Sequence, residues 1–361
     1  MKIAISAAET SGDLIASALV KSLLELQPDC QIEGLVGDKM IDAGCQRLWH
    51  IDRANVMGLS EVVNKLPSLL RLRNSIVKYF SENKPDVFIG VDSPDFNFKI
   101  EQKLKQRGVK TVHFISPSVW AWRSNRIIKI KASTDLMLCL FPFEVDFFEK
   151  HGQKALFVGH PLTEKLQPRQ NYQPSKKVLL MPGSREAEIK SLLPELLSAV
   201  DLMREKDSKI QFSLALANDH FKEWVEDRIH KSGIELSVGD AYAQIAQSDL
   251  VIVASGTATL EIAMLGVPMV VVYKLSGVSY QIVKRLLKTE FISLPNVILG
   301  KEVVPELIQD SANGKNIANV AMQIIISDNS KLVSELRNIH SQLHQESSAQ
   351  SAKAILEFVN E

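Results

Sequence analysis

The sequence predicts an α/β protein built from two doubly wound, parallel-sheet (Rossmann-like) domains facing a crevice, with a helical C-terminal tail. Three observations predict it. Short runs rich in Val, Ile and Leu alternate with helix-patterned stretches along most of the chain. The polar segment Leu162–Lys176, preceded by Pro161 and carrying Pro168 and Pro174, interrupts that rhythm once, near the middle. From about Gly314 onward the strand signal stops and only helix-spaced apolar positions remain.

The first domain is read over residues 1–165, with strands at Ile3–Ala7, Ile32–Val36, Val87–Val91, Lys110–Ile115 and Leu136–Leu140. Each is a continuous apolar run without clean alternation, the pattern of a strand buried on both faces. Helical stretches lie between them, among them Leu14–Leu26 and Ile100–Arg107. The second domain is read over 166–344, with strands at Val178–Met181, Gln211–Leu214, Leu250–Val253 and Pro268–Val272. Its helices include Ile189–Arg204, Leu260–Leu265 and Gly277–Leu287. The tail reads as Ile317–Ile326, Lys331–Leu343 and Ala349–Val359, and its last helix, about 345–361, is expected to pack back on the first domain. Ser293–Asn296 and Val304–Gln309 read as loops.

Composition narrows the function. The 361 residues are 45% hydrophobic and 23% charged, which excludes a disordered, collagen-like or coiled-coil chain. Lys and Arg number 42 against 42 Asp and Glu, so nothing suggests bulk nucleic-acid binding. No apolar run reaches the ~18 residues of a spanning helix, and the Met1–Ser6 start is too soon polar for a signal peptide. Cys30, Cys45 and Cys139 are few and scattered, which fits a reducing cytoplasm and gives neither a disulfide framework nor a zinc site.

In a doubly wound sheet, ligands bind at the carboxyl ends of the strands, and several strands here run directly into chemistry-bearing loops. After the first comes Ala8-Glu9-Thr10-Ser11-Gly12-Asp13, a ligand loop or a plain strand-to-helix turn. It lacks the Gly-x-Gly-x-x-Gly fingerprint, which disfavours a nicotinamide dehydrogenase. After Val87–Val91 comes Asp92-Ser93-Pro94-Asp95-Phe96-Asn97. A carboxylate at a strand end can act as general base, and Asp92 is the candidate, while Asp95 suits a helix cap better. Ser116-Pro117-Ser118-Val119-Trp120-Ala121-Trp122-Arg123 reads as an acceptor wall or a hydrophobic plug.

In the second half, Val178–Met181 runs into Pro182-Gly183-Ser184-Arg185-Glu186. Gly183 admits a ligand close to the backbone, and Arg185 can fork onto a phosphate or pair with Glu186 or Glu188. Ser255-Gly256-Thr257-Ala258-Thr259-Leu260-Glu261 ends a strand in small residues that open a helix, an arrangement that favours a pyrophosphate. Glu261 lies four residues after Thr257, on the same helical face, where it can accept both hydroxyls of a ribose. Its alternative is a complement to the helix dipole. Asn296 and Gln309 are weaker candidates for a diphosphate or sugar. His113, His151 and His160 have no metal-ligand spacing.

These motifs, with Gly159-His160-Pro161 and Ser293-Leu294-Pro295-Asn296, resemble the lipid A disaccharide synthase family over nearly the whole chain. The resemblance implies a GT-B-like fold and a glycosyltransferase of lipid A biosynthesis that needs neither cofactor nor metal. The implied reaction moves 2,3-diacylglucosamine from UDP-2,3-diacylglucosamine to the 6-hydroxyl of 2,3-diacylglucosamine 1-phosphate. UDP and a β-1,6 disaccharide 1-phosphate result, with inversion. The family's catalytic carboxylate falls on Asp92, its phosphate-binding arginine on Arg185, and its nucleotide site on Ser255, Gly256, Thr257, Glu261 and Asn296. Glu9, Ser11, Gly12, Asp95, Trp120 and Gln309 are the lesser substrate-binding candidates. The first loop reads Ala8-Glu9 where the family often has Gly-Glu, which weakens a ligand role for it. A UDP-sugar 2-epimerase of the same fold and a noncatalytic sugar-nucleotide binder are the alternatives.

Fatty substrates imply a peripheral enzyme at the cytoplasmic leaflet of the inner membrane. The stretch Val62–Phe80 offers a contact, with Val62, Leu66, Leu69, Leu70, Ile76, Val77 and Phe80 near helical spacing and Lys65, Arg71, Arg73 and Lys78 around them. Residues 60–131 hold 14 Lys and Arg against six Asp and Glu. The alternative is that the stripe packs on the sheet. The oligomeric state, a homodimer included, is left open by the sequence.

Overall fold

The computed structural model describes residues 1–54, 59–122, 124–170, 174–275 and 289–361, and of residues 59–65, 122 and 124 it describes the backbone. The chain forms two compact units: Met1–Pro161 joined by Leu343–Glu361, and Leu162–Gln342.

The first unit is a seven-stranded sheet: β1 (Lys2–Ala7), β2 (Gln31–Val36), β3 (Gln46–His50), β4 (Val87–Val91), β5 (Lys110–Phe114), β6 (Leu136–Cys139) and β7 (Ala155–Phe157). The spatial order is β3-β2-β1-β4-β5-β6-β7, and every pairing is parallel. The direction of winding reverses between β1 and β4, where Ala7 pairs with Val91, so the loops after these two strands border the binding position of a doubly wound sheet. Helices cover both faces. Ile5, Ile89 and Val91 pack with Leu19, Val20 and Leu23 of helix Thr10–Leu26 and with Ala352 and Ile355 of the last helix, Ser347–Asn360. Ala4 and Phe88 pack on the other side with Leu72, Ile76, Val77 and Phe80.

The second unit is a six-stranded sheet: β8 (Lys177–Met181), β9 (Gln211–Leu216), β10 (Glu235–Val238), β11 (Leu250–Ala254), β12 (Met269–Tyr273) and β13 (Glu306–Ile308). Its order, β10-β9-β8-β11-β12-β13, is again all parallel, and it reverses between β8 and β11. Helices Glu186–Lys206 and Gly314–Ile326 supply Leu192, Leu196, Ala318 and Ala321 to its core.

The two parallel sheets and the helical C-terminus are as the sequence predicts. Four strands, β3, β7, β10 and β13, escape the reading, and they are the four sheet edges. An edge strand is half solvated, so these runs are short, partly exposed and mixed in polarity. The segment expected to be a loop at Val304–Gln309 therefore contains β13, and Ser293–Asn296 opens a short helix, Leu294–Leu299. The tryptophan loop contains a helical turn, Val119–Trp122. The expected helix Gly277–Leu287 and Arg123 lie outside the described residues.

Helix Leu59–Glu82 corrects the expected apolar stripe by dividing it. Ile76, Val77 and Phe80 are buried against the sheet and unavailable to a membrane, whereas Leu66 and Leu70 are exposed. The side chains of Val62 and Lys65 lie outside the described residues. Among the described residues no helix is long and apolar enough to cross a membrane.

Candidate active site

At the first switch point, β4 ends in Val91 and the chain turns through Asp92 and Ser93 into helix Pro94–Lys105. Both turn residues adopt left-handed backbone angles, φ +50° at Asp92 and +43° at Ser93. Non-glycine residues there cost on the order of 1–3 kcal/mol each and persist only where surroundings impose them. The imposing group is Asn97, fully buried one turn into the helix. Its Nδ2 donates to the carbonyls of Asp92 (2.9 Å), Val91 (3.1 Å) and Ser6 (3.2 Å), and its Oδ1 accepts from Ser6 Oγ at 2.8 Å. The Asp92 amide donates to Phe114 O at 2.9 Å, extending the β4–β5 ladder by one residue. The Asp92 side chain is left half-exposed at the N-terminal end of helix Thr10–Leu26, where a Cβ added at Gly12 would come 4.0 Å from its own Cβ.

Around it, Glu9 Oε1 accepts from Ser93 Oγ at 2.9 Å, tying the β1 loop to the β4 loop. Ser11 is exposed and Gly12 is buried against the Val91 carbonyl. Asp13 faces away from this group and accepts from the amides of Gly37, Lys39 and Met40 at 2.8–3.3 Å, which holds the start of helix Asp38–Asp42. Asp95 pairs with Arg126 in the first turn of its helix. Beneath the loop, Glu101 and His113 form a buried pair at 2.7 Å. Gly90 makes room for it, since a Cβ there would collide with the Glu101 carboxylate. Burial pushes the Glu101 carboxyl up, opposed by His113.

Trp120 is half-buried, not a free-standing wall. Its ring meets Phe143 edge-on at 4.7 Å and its Nε1 donates to Glu144 Oε1 at 3.2 Å. Glu144 also accepts from the amides of Leu140 and Phe141 at 3.2 Å. Burial raises its carboxyl to about 7. Burial likewise lowers nearby His160, whose ring lies 5.4 Å from Phe141, to about 4.

At the second switch point a cleft of about 430 Å³ opens between the β8 and β11 loops. Gly183, Arg185, Ser255, Gly256, Thr257 and Glu261 all line it. Gly183 has φ +107°, and a side chain there would meet Glu188 at 2.6 Å. Glu188 accepts from the amides of Ser184 and Arg185 at 3.3 Å and from Arg185 Nη1 at 3.0 Å. Arg185 is nonetheless 80% exposed, so the pair leaves its guanidinium at the surface of the cleft. Glu261 accepts from the Tyr242 hydroxyl at 3.4 Å, and burial raises its carboxyl. Gly256 faces open space.

Ser255, Asn296 and Gln309 make hydrogen bonds within the chain. The Ser255 hydroxyl donates to Ile292 O at 2.8 Å. Asn296 is fully buried and its amide is spent within the chain: Nδ2 donates to Val304 O and Glu306 Oε1, and Oδ1 accepts from the amides of Val303 and Val304. Its role in this structure is to position the loop that Ser255 touches. Gln309 pairs both ways with the Leu275 backbone, at 2.7 and 3.0 Å. Sequence reasoning missed Asn97, Glu144 and Glu306. Glu306 gathers the amides of Ile292 and Ser293, the Ser293 hydroxyl and Asn296 onto one carboxylate.

Two doubly wound parallel units, each with its candidate loops at the switch point, define a GT-B protein, and among solved structures the likeness is to that fold. Acinetobacter baumannii MurG aligns with TM-score 0.61 at 15% identity, covering 99% of both chains. The UDP-GlcNAc 2-epimerase of Neisseria meningitidis aligns with TM-score 0.63 at 13% identity over the whole of both. Sequence comparison is more specific. The family described as Lipid-A-disaccharide synthetase matches residues 3–359, so the chain belongs to that family and is a glycosyltransferase. Lipid-A-disaccharide synthase of Pseudomonas aeruginosa (strain UCBPP-PA14) is 39% identical over 99% of this chain and 98% of its own. That of Alteromonas mediterranea is 37% identical over the same shares.

Proposed function

We propose that the protein transfers 2,3-diacylglucosamine from UDP-2,3-diacylglucosamine to the 6-hydroxyl of 2,3-diacylglucosamine 1-phosphate, with inversion. The observation that carries the reading is the Asp92 loop: a half-exposed carboxylate on a strained backbone, pinned from behind by Asn97. A sugar hydroxyl is a weak nucleophile until a base takes its proton as the bond forms. In the proposed step the acceptor oxygen attacks the anomeric carbon from the face opposite UDP. The carbon–oxygen bond to the diphosphate breaks with its electron pair, and the proton passes to Asp92. One displacement turns an α-linked donor into a β-linked product.

The nucleotide is assigned to the cleft of the second unit, whose volume suits a ligand of that size. Arg185 meets the charge that gathers on the departing diphosphate, and Glu261 accepts from the ribose hydroxyls. The acceptor is assigned to the first unit. Beside the Glu9–Ser93 pair lies a cavity of about 370 Å³, lined by Leu66, Leu69, Leu70 and Phe96, which suits a fatty chain. The exposed Leu66 and Leu70, with Arg71 between them and the buried stripe, are the proposed contact with an anionic bilayer. Vesicle sedimentation should fall when Leu69, Leu70 and Arg71 are together replaced by Ser; undiminished binding of the folded variant would place any contact elsewhere.

Mass spectrometry of a reaction supplied with both glucosamine lipids tests the function. The expected products are a disaccharide monophosphate and UDP. Conversion of UDP-N-acetylglucosamine alone, with no disaccharide, would favour the epimerase reading.

A further inference from the structure

We propose that a small basic pocket on the first unit seats the phosphate monoester of the acceptor. The proposal rests on the acceptor assignment above and deepens it. The pocket, of about 100 Å³, is walled by Pro94, Asp95, Phe98, Lys99, Arg126 and Lys129. That is well below the ~300 Å³ at which clefts begin to hold a drug-sized ligand, so it admits one charged group and not a nucleotide.

Three cations and a single acid line it. Lys99 comes from helix Pro94–Lys105, Lys129 from helix Ile127–Ser133, and Arg126 from the residue before that helix. Arg126 gives Nη2 to Asp95 Oδ1, and among the described residues its remaining donors have no partner. Lys99 and Lys129 likewise make no ion pair or side-chain hydrogen bond among the described residues.

Several neighbouring lysines are compensated within the chain. Lys103 donates to Asn74 Oδ1 at 3.1 Å, Lys105 pairs with Asp135 at 2.9 Å, Lys110 donates to Phe358 O at 3.0 Å, and Lys131 donates to His151 O at 2.8 Å. Arg126, Lys99 and Lys129 instead bring donors without an internal partner among the described residues to one small cavity. A phosphate dianion compensates them, and an arginine fork beside two ammonium groups matches its oxygens. Asp95 is 81% exposed, so it holds Arg126 in place without closing the pocket and can yield the guanidinium to a stronger anion. Asp95 follows Asp92 by three residues along the same loop and helix. A phosphate seated here fixes one end of the sugar close to the proposed base, a positioning effect on the reaction.

The test compares acceptors with and without the 1-phosphate, in neutral detergent micelles, for the unaltered enzyme and for a Lys99→Met, Lys129→Met double variant. UDP affinity serves as the folding control. The expected result is that kcat/KM for the phosphorylated acceptor falls about ten- to a hundredfold, that the phosphate-free acceptor loses much less, and that Lys129→Arg retains the preference. An equal fall for both acceptors, or no change, overturns the proposal. So does a variant that keeps its acceptor preference but loses sedimentation with anionic vesicles, since the pocket then meets bilayer headgroups. If the unaltered enzyme makes no disaccharide from either acceptor, the transferase reading fails and the proposal falls with it; every other adverse outcome leaves that reading standing.

Discussion

The two switch points share a topology and differ in backbone. Leaving β4, the chain places two successive non-glycine residues, Asp92 and Ser93, in the left-handed region. Leaving β11, it passes through Ser255, Gly256 and Thr257 with none. Leaving β8, the other strand of that switch point, the positive angle falls instead on Gly183, where it costs little. Strain thus accompanies the carboxylate proposed to do chemistry, and a buried asparagine with four hydrogen bonds maintains it. The loops proposed to bind the nucleotide are unstrained and offer space. Held strain of this kind is a recurrent feature of reacting groups, and it accords with the proposed division of chemistry on the first unit and nucleotide binding on the second.

The largest effect should come from the strained side. Asp92→Asn keeps the shape but cannot take the proton, so turnover should fall on the order of 10²–10⁴-fold with UDP affinity intact. Normal turnover would remove the base from Asp92 and with it the meaning of the strain. Next in size are Arg185→Ala and Glu261→Ala. Each should weaken UDP binding by roughly tenfold or more, the loss of a hydrogen bond to a charged group, as read by titration calorimetry. Unchanged affinity in both would move the nucleotide out of the second unit.

The smallest effect is a pH dependence confined to the first unit. Burial lifts Glu144 to about 7 from an ordinary 4.5. Its contribution to stability is therefore full below pH 4.5 and is lost as pH rises through about 7. His160 has the opposite sign: depressed to about 4 from 6.5, it contributes fully above pH 6.5, and that contribution is lost as pH falls through 4. Glu144→Gln removes the first branch and leaves the second. Its urea-unfolding stability should then drop more steeply than the parent's between pH 6.5 and 4.5, by on the order of 1 kcal/mol. A profile parallel to the parent's would show that Glu144 does not titrate in that window.

How legible this was depended on burial. β1, β4, β8 and β11 are covered on both faces along most of their length, so their sequences are predominantly apolar and both switch points could be read directly. The loops that follow them carried the candidates Asp92, Arg185, Ser255–Thr257 and Glu261 for the same reason. The edge strands β3 and β13 were hidden by their exposure. The polar supports were hidden by distance: Asn97 meets Ser6 across 91 residues, and nothing in a local motif announces that pairing. Asn296 shows the converse. Its loop stands out in the sequence, but the prominence comes from a clasp with Glu306 that consumes its amide within the chain.

The division between the two units can be tested directly by hydrogen–deuterium exchange on the intact chain with and without saturating UDP. The account predicts that UDP protects Gly183–Glu188 and Ala254–Glu261 and leaves Glu9–Asp13 and Asp92–Asn97 exchanging as before. Protection at Glu9–Asp13 and Asp92–Asn97, with none at Gly183–Glu188, would contradict it and place the nucleotide on the strained loop.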